Sequence, residues 1–99
     1  MTILQTSSEK IRQRRSQMLV HSYIYYHMDT SIVSDDDWQR WANELEDLQK
    51  QYPEPIGFYD KEFADWDGTT GMHLPKDDWV QQHAWRLLRY QGKLPWKSY

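Results

Sequence analysis

Ninety-nine residues suffice for one domain around a single core, taken here as residues 1–99. Only 38% of the residues are hydrophobic, but six Trp, seven Tyr and two Phe place much of the buriable surface in aromatic rings; the absence of cysteine excludes disulfides, thiolate nucleophiles and thiolate metal ligands. The net charge of −3 divides into +3 over residues 1–28, −9 over 29–67 and +3 over 68–99, and the acidic middle argues against a phosphate-binding face.

The first helix is expected to start after Thr6, because Thr6-Ser7-Ser8-Glu9 fits a capping box, and to run to about Met28. Ile11, Met18, Ser22 and Tyr25 form one stripe along it and Leu19, Tyr23 and Tyr26 a neighbouring one, an apolar arc concentrated in the C-terminal half. Lys10, Arg12, Arg14 and Arg15 read as a solvated face; DNA binding through Arg12, Arg14 and Arg15 ranks below the other readings, so a nucleic-acid partner is not expected.

A second helix begins with Ser34 as N-cap and Asp35, Asp36 and Asp37 in the first turn, where the helix dipole favours negative charge. Trp38, Trp41, Leu45, Leu48 and Tyr52 mark its buried face, and Pro53 ends it. Only about five residues, 29–33, join the two helices, which must therefore fold back as an antiparallel hairpin over residues 1–54. The stretch 53–75 holds three of the four prolines and three of the four glycines, which predicts turns with at most a short helical piece near residues 60–64. Ile56, Phe58, Phe63 and Trp66 make residues 55–75 a packed loop and not a linker. The third helix, in residues 76–99, follows Pro75, with Asp77 and Asp78 in its first turn, an apolar set of Trp79, Val80, Ala84, Leu87 and Leu88, and Gly92 as its stop. Trp96 is expected to dock the tail. The fold class is all-α: a helical hairpin, a packed irregular loop and a third helix. With no run of eighteen apolar residues and no apolar leader segment, the expected location is the cytoplasm, without membrane contact.

Motifs for chemistry do not converge. Asp65-Trp66-Asp67-Gly68-Thr69-Thr70-Gly71 resembles the DxDGT signature of haloacid-dehalogenase phosphatases, but that chemistry needs the motif at the end of a buried strand. No strand precedes it here, so the stretch reads as a capped turn. A calcium-loop register with Asp67 at the fifth position puts Phe63 at the first ligand position. His21, His27, His73 and His83 lack metal-ligand spacing. No catalytic residue and no metal ligand is assigned, and no cofactor follows from the motifs alone.

The end of the first helix and the start of the second bring Tyr25 or Tyr26 near Asp35 and Trp38. Neighbouring helical residues diverge by about 100°, so one tyrosine should pack inward and the other face this corner. Spacing alone is satisfied by an aromatic hairpin core with an acidic helix start. The same residues would also stack a flat cationic ring such as nicotinamide and bond its sugar.

At this corner the sequence from His21 to Glu54 resembles the N-terminal helical module of bacterial NAD-dependent DNA ligases. Tyr23, Tyr25, Tyr26 and Asp29 match that family's Y-x-Y-[YH]-x-x-D; Val33 and Asp35 match its I-x-D; Glu44, Leu45, Leu48 and Pro53 follow its remaining spacing. Trp38 stands where the family has Tyr, and Gln39 where it has Asp. The resemblance implies a module that holds the nicotinamide mononucleotide (NMN) half of NAD as leaving group for adenylation of a lysine. It assigns Tyr25 and Tyr26 to nicotinamide stacking, Asp35 to the ribose or phosphate, and Trp38 to a stacking wall. No Lys-x-Asp-Gly adenylation motif is present in "ADWDG", Ala64 to Gly68, and no transferase region matches, so a non-catalytic relative is expected, encoded by a bacterium, phage or prophage. Its expected role is weak binding of NMN or NAD, or engagement of a protein of DNA or nucleotide metabolism. The alternative is a protein-interaction module that docks a host partner through its aromatic and acidic surface.

Overall fold

The Thr6 hydroxyl accepts from the Glu9 amide at 3.2 Å, the Glu9 carboxylate accepts from the Thr6 amide at 2.8 Å, and this closed capping box starts helix α1, Ser7–His27. Ser34 Oγ accepts from the Asp37 amide at 3.0 Å and caps α2, Asp35–Gln51. The Asp77 carboxylate accepts from the Val80 amide at 3.1 Å and so caps α3, Asp78–Gln91, instead of lying within its first turn. The computed structural model describes residues 6–91; these are all α-helical elements and turns, with no strand among the described residues. The expected stop at Gly92 and the docking of Trp96 lie outside the described residues.

The hairpin forms as the spacing predicts, and Asp29 makes its reversal. Asp29 sits at φ 53°, a left-handed conformation that Asp tolerates better than most residues, and the following Thr30 amide reaches back to the Ile24 carbonyl at 3.4 Å.

The position of α1 differs from the expected single arc, because α1 packs against both other helices. One core joins Ile11, Met18 and Leu19 of α1 to Ala42 and Leu45 of α2 and to Phe58, Phe63, Trp66 and Leu74 of the loop. A second core, on another face of α1, joins Val20 and Ile24 to Ala84 and Leu88 of α3. Neither Tyr25 nor Tyr26 packs inward, contrary to the expectation that one would; they are 55% and 36% exposed. Ile24 occupies the inward position against α3 at the last turn of α1, which leaves both tyrosines projecting from the helix end.

The basic face of α1 also resolves differently. Arg15 is only 5% exposed, donating to Asp60 Oδ1, the Phe58 carbonyl and Gln49 Oε1, each at 2.8 Å. Arg14 is ion-paired to Glu44 at 2.8 Å, and the Arg12 guanidinium lies 4.0 Å from the Phe58 ring centroid. All three arginines are therefore committed to contacts within the chain. Asp60 also accepts from the Ile56 and Gly57 amides; these bonds, the Ile56 bond foremost and Arg15 next, hold its carboxyl below the usual carboxylate range. Arg15 and Asp60 thus fasten the 53–75 loop across both helices of the hairpin. Tyr59 ties the same loop to the start of α3, donating to Asp77 at 2.7 Å. No helix among the described residues is long and apolar enough to cross a membrane.

Candidate functional site

A cleft of about 260 Å³ opens at the closed end of the hairpin. Its walls follow from helical periodicity: His21, Ser22, Tyr25 and Tyr26 share one face of α1, and Asp35, Trp38 and Gln39 share one face at the start of α2. Ser31, Val33 and Ser34 from the connecting link form one side, and Thr69 from the loop forms the other. The structure therefore brings together all four residues singled out from spacing and resemblance: Tyr25, Tyr26, Asp35 and Trp38.

The aromatic walls are held in place. Tyr25 and Tyr26 meet edge to face, with centroids 4.9 Å apart. Trp38 donates through Nε1 to Ser22 Oγ at 3.3 Å and packs at 6.2 Å against Trp66, which is itself fixed by an Nε1 bond to the Ala42 carbonyl at 3.0 Å. The Tyr26 hydroxyl is 3.3 Å from Thr70 Oγ1.

The 65–71 stretch is a capped turn, and its place in the fold makes it part of the site. Asp67 accepts from the Thr69 hydroxyl at 2.7 Å and from the Thr69 amide at 3.0 Å, which lowers its carboxyl below the ordinary range. Gly68, at φ 77°, offers its carbonyl to Gln39 Nε2 at 2.9 Å. Gly71 lies so close to α1 that a β-carbon there would sit 2.8 Å from Ser22 Cβ. The turn is therefore seated on the floor of the cleft, beside Ser22 and Trp38.

His21 was not singled out as a site residue, although its spacing of four from Tyr25 puts both on one face. Its ring lies against Trp41, with centroids 5.6 Å apart, and its Nδ1 is buried without a hydrogen-bond partner in the protein. Burial pushes the imidazole pKa down to about 4, so His21 is neutral at pH 7. Thr69 was also missed, because only the tertiary fold brings it to the hairpin. Among the described residues no group of three or more His, Cys, Asp or Glu is arranged to hold a metal ion.

Residues 4–58 match the family described as "DNA ligase-like, N-terminal NAD+-binding domain". A DNA ligase of Azotobacter vinelandii is 41% identical over 56 residues, 57% of this chain and 7% of the ligase. Those of Stutzerimonas stutzeri and Syntrophomonas wolfei are 39% and 37% identical over 52 and 49 residues, covering 52% and 50% of this chain and 7% of each ligase. The chain therefore spans only a small part of these relatives. No solved structure matches it. The match takes in α1, the link and α2, and it stops before the turn that carries Thr69 and Gly71.

Proposed function

The chain belongs to the family of DNA ligase-like N-terminal NAD+-binding domains, and we propose that its cleft binds the nicotinamide end of a nucleotide such as NMN or NAD without catalysing a reaction. The observation that carries this reading is the convergence of Tyr25, Tyr26, Asp35 and Trp38 on one cleft. A pyridinium ring is flat and cationic, which suits the faces of Tyr25 and Trp38. The Asp35 carboxylate accepts from ribose hydroxyls; the Ser31 and Thr69 hydroxyls, whose protons go to the Val33 carbonyl and the Asp67 carboxylate, can accept, and Ser34 can donate. A cleft of about 260 Å³ lies just under the ~300–1,000 Å³ usual for drug-sized ligands, so it suits a nucleoside-sized group with the rest of a dinucleotide outside. Binding without chemistry is supported by Asp65, an exposed turn residue that stands two positions before the Asp67-Gly68 pair, where a Lys-x-Asp-Gly adenylation motif carries its lysine. The proposed role is accessory, in the nucleotide or DNA metabolism of a bacterium or of a phage-infected cell.

Titration with NMN and NAD, followed by the amide signals of the hairpin end, tests this reading. The signals around Tyr25 and Trp38 should shift at millimolar ligand, and Tyr25→Ala should abolish the shifts. Absence of any shift at about 10 mM ligand would end the nucleotide reading, since binding weaker than ~4 kcal/mol has no use at cellular concentrations. A second reading, a protein-interaction module, is favoured by Tyr90, which is 86% exposed beside an apolar groove formed by Val20 and Leu87. Failure of the full chain to recover any reproducible partner from bacterial lysate would count against it.

A further inference from the structure

Resting on the nicotinamide reading above, we infer that the cleft selects the phosphate-free pyridinium nucleoside, nicotinamide riboside, over its 5′-phosphate, NMN. Three observations carry this. First, no lysine or arginine is found among the described residues that line the cleft, so no side chain there offers the charge-assisted bonds that normally hold a phosphate. Arg40, the arginine that follows on α2, is bound to Asp37 at 3.0 Å and faces Glu44 at 3.9 Å.

Second, the one charged side chain among the described residues that line the cleft is the Asp35 carboxylate, with Asp36 and Asp37 following it in the same helical turn. A helix N-terminus ordinarily attracts anions, with a strength equivalent to about half a positive charge. Here three carboxylates stand against that half charge, and Ser34 Oγ already occupies the Asp37 amide. The net field favours a cation and opposes a phosphate dianion. Third, the remaining polar groups lining the cleft are neutral, chiefly the hydroxyls of Ser31, Ser34 and Thr69 and the Gln39 amide. Such groups bond a carboxamide or ribose hydroxyls and do not neutralise phosphate.

Four ligands separate charge from phosphate: nicotinamide riboside, NMN, 1-methylnicotinamide and neutral nicotinamide, each titrated into the full chain at low salt and followed by amide chemical shifts. Nicotinamide riboside should bind about tenfold more tightly than NMN, ~1.4 kcal/mol, and 1-methylnicotinamide more tightly than nicotinamide. Asp35→Asn, at an exposed position outside the core, should bring the riboside and NMN affinities towards equality. Asp36→Asn, in the same turn but not lining the cleft, should change the ratio less. If NMN binds as tightly as the riboside, or more tightly, the selectivity is overturned while the nicotinamide reading stands. If none of the four ligands shifts the hairpin signals, both are overturned.

Discussion

Replacing Gly71 with alanine tests whether the 65–71 turn is a built wall of the cleft. A β-carbon at position 71 would collide with Ser22 Oγ and lie 2.8 Å from Ser22 Cβ and 3.3 Å from Trp38 Cζ2. Ser22 Oγ can rotate away, at the loss of its bond from Trp38, but Ser22 Cβ is fixed by the helix that carries it. The turn must therefore retreat by several tenths of an ångström. Overpacking of this kind costs about 1–3 kcal/mol, and the lost Trp38 bond adds about 1 kcal/mol. In a chain of this size each kcal/mol lowers Tm by roughly 4–8 °C, so Gly71→Ala should melt at least about 8 °C lower. It should also weaken ligand binding, because Thr69 moves with the turn. Ser22→Gly removes both clashing atoms, at a helix-propensity cost of about 0.5 kcal/mol and with the same loss of the Trp38 bond. The double variant should then be about as stable as Ser22→Gly alone, a coupling of at least about 1 kcal/mol in a double-mutant cycle. A Gly71→Ala midpoint within 2 °C of the parent, or strictly additive effects in the cycle, would refute the close seating of the turn on α1.

Two further outcomes follow from the same region. His21 is held near pKa 4 in the folded chain against 6.5 when unfolded, so the unfolded state takes up the proton first and stability falls as pH drops below about 6.5. Between pH 7.5 and 5 urea denaturation should record a loss of about 2 kcal/mol, much reduced in His21→Leu; equal losses in the two proteins would rule out His21 as the source. Gln39→Glu keeps the side-chain length but leaves nothing to donate to the Gly68 carbonyl and Asn43 Oδ1. At pH 7 it should cost about 1–3 kcal/mol, measured by urea denaturation, and an unchanged midpoint would contradict the bond's role.

Helix starts were legible in the sequence because their causes are local. Thr6 with Glu9 and Ser34 with Asp37 are each three residues apart, and each pair forms the cap that its residue types specify. The corner was legible for a similar reason, since a short link between two amphipathic helices forces their ends together. What the pattern concealed was the second buried face of α1. Val20 and Ile24 are four apart, as are Ala84 and Leu88, but a helix buried on two sides lacks a single stripe, and the tyrosines drew the expected face away from Ile24. Arg15 looked solvated because its partners, Gln49, Phe58 and Asp60, lie 34 to 45 residues away. Thr69 and Gly71 were hidden by the same distance, 44 residues separating Tyr26 from its contact at Thr70.

That distance changes the meaning of Gln39. Beside the ligase pattern, Gln39 in place of Asp looks like the loss of a carboxylate from a nucleotide site. In the fold, its amide nitrogen donates at 2.9 Å to the carbonyl of Gly68, on a turn beyond the end of the family match at residue 58. An aspartate has only acceptors and would face that carbonyl with like polarity. The substitution therefore suits a chain in which its own loop closes the cleft, anchored by Trp66 on the Ala42 carbonyl, by Gln39 on Gly68 and by Gly71 against Ser22. Trp38 fits the same logic, since its indole N–H donates to Ser22 on the cleft floor. Both departures from the family are thus accounted for by contacts that build the cleft, and Asp35 is left as the one charged side chain among the described residues that line it.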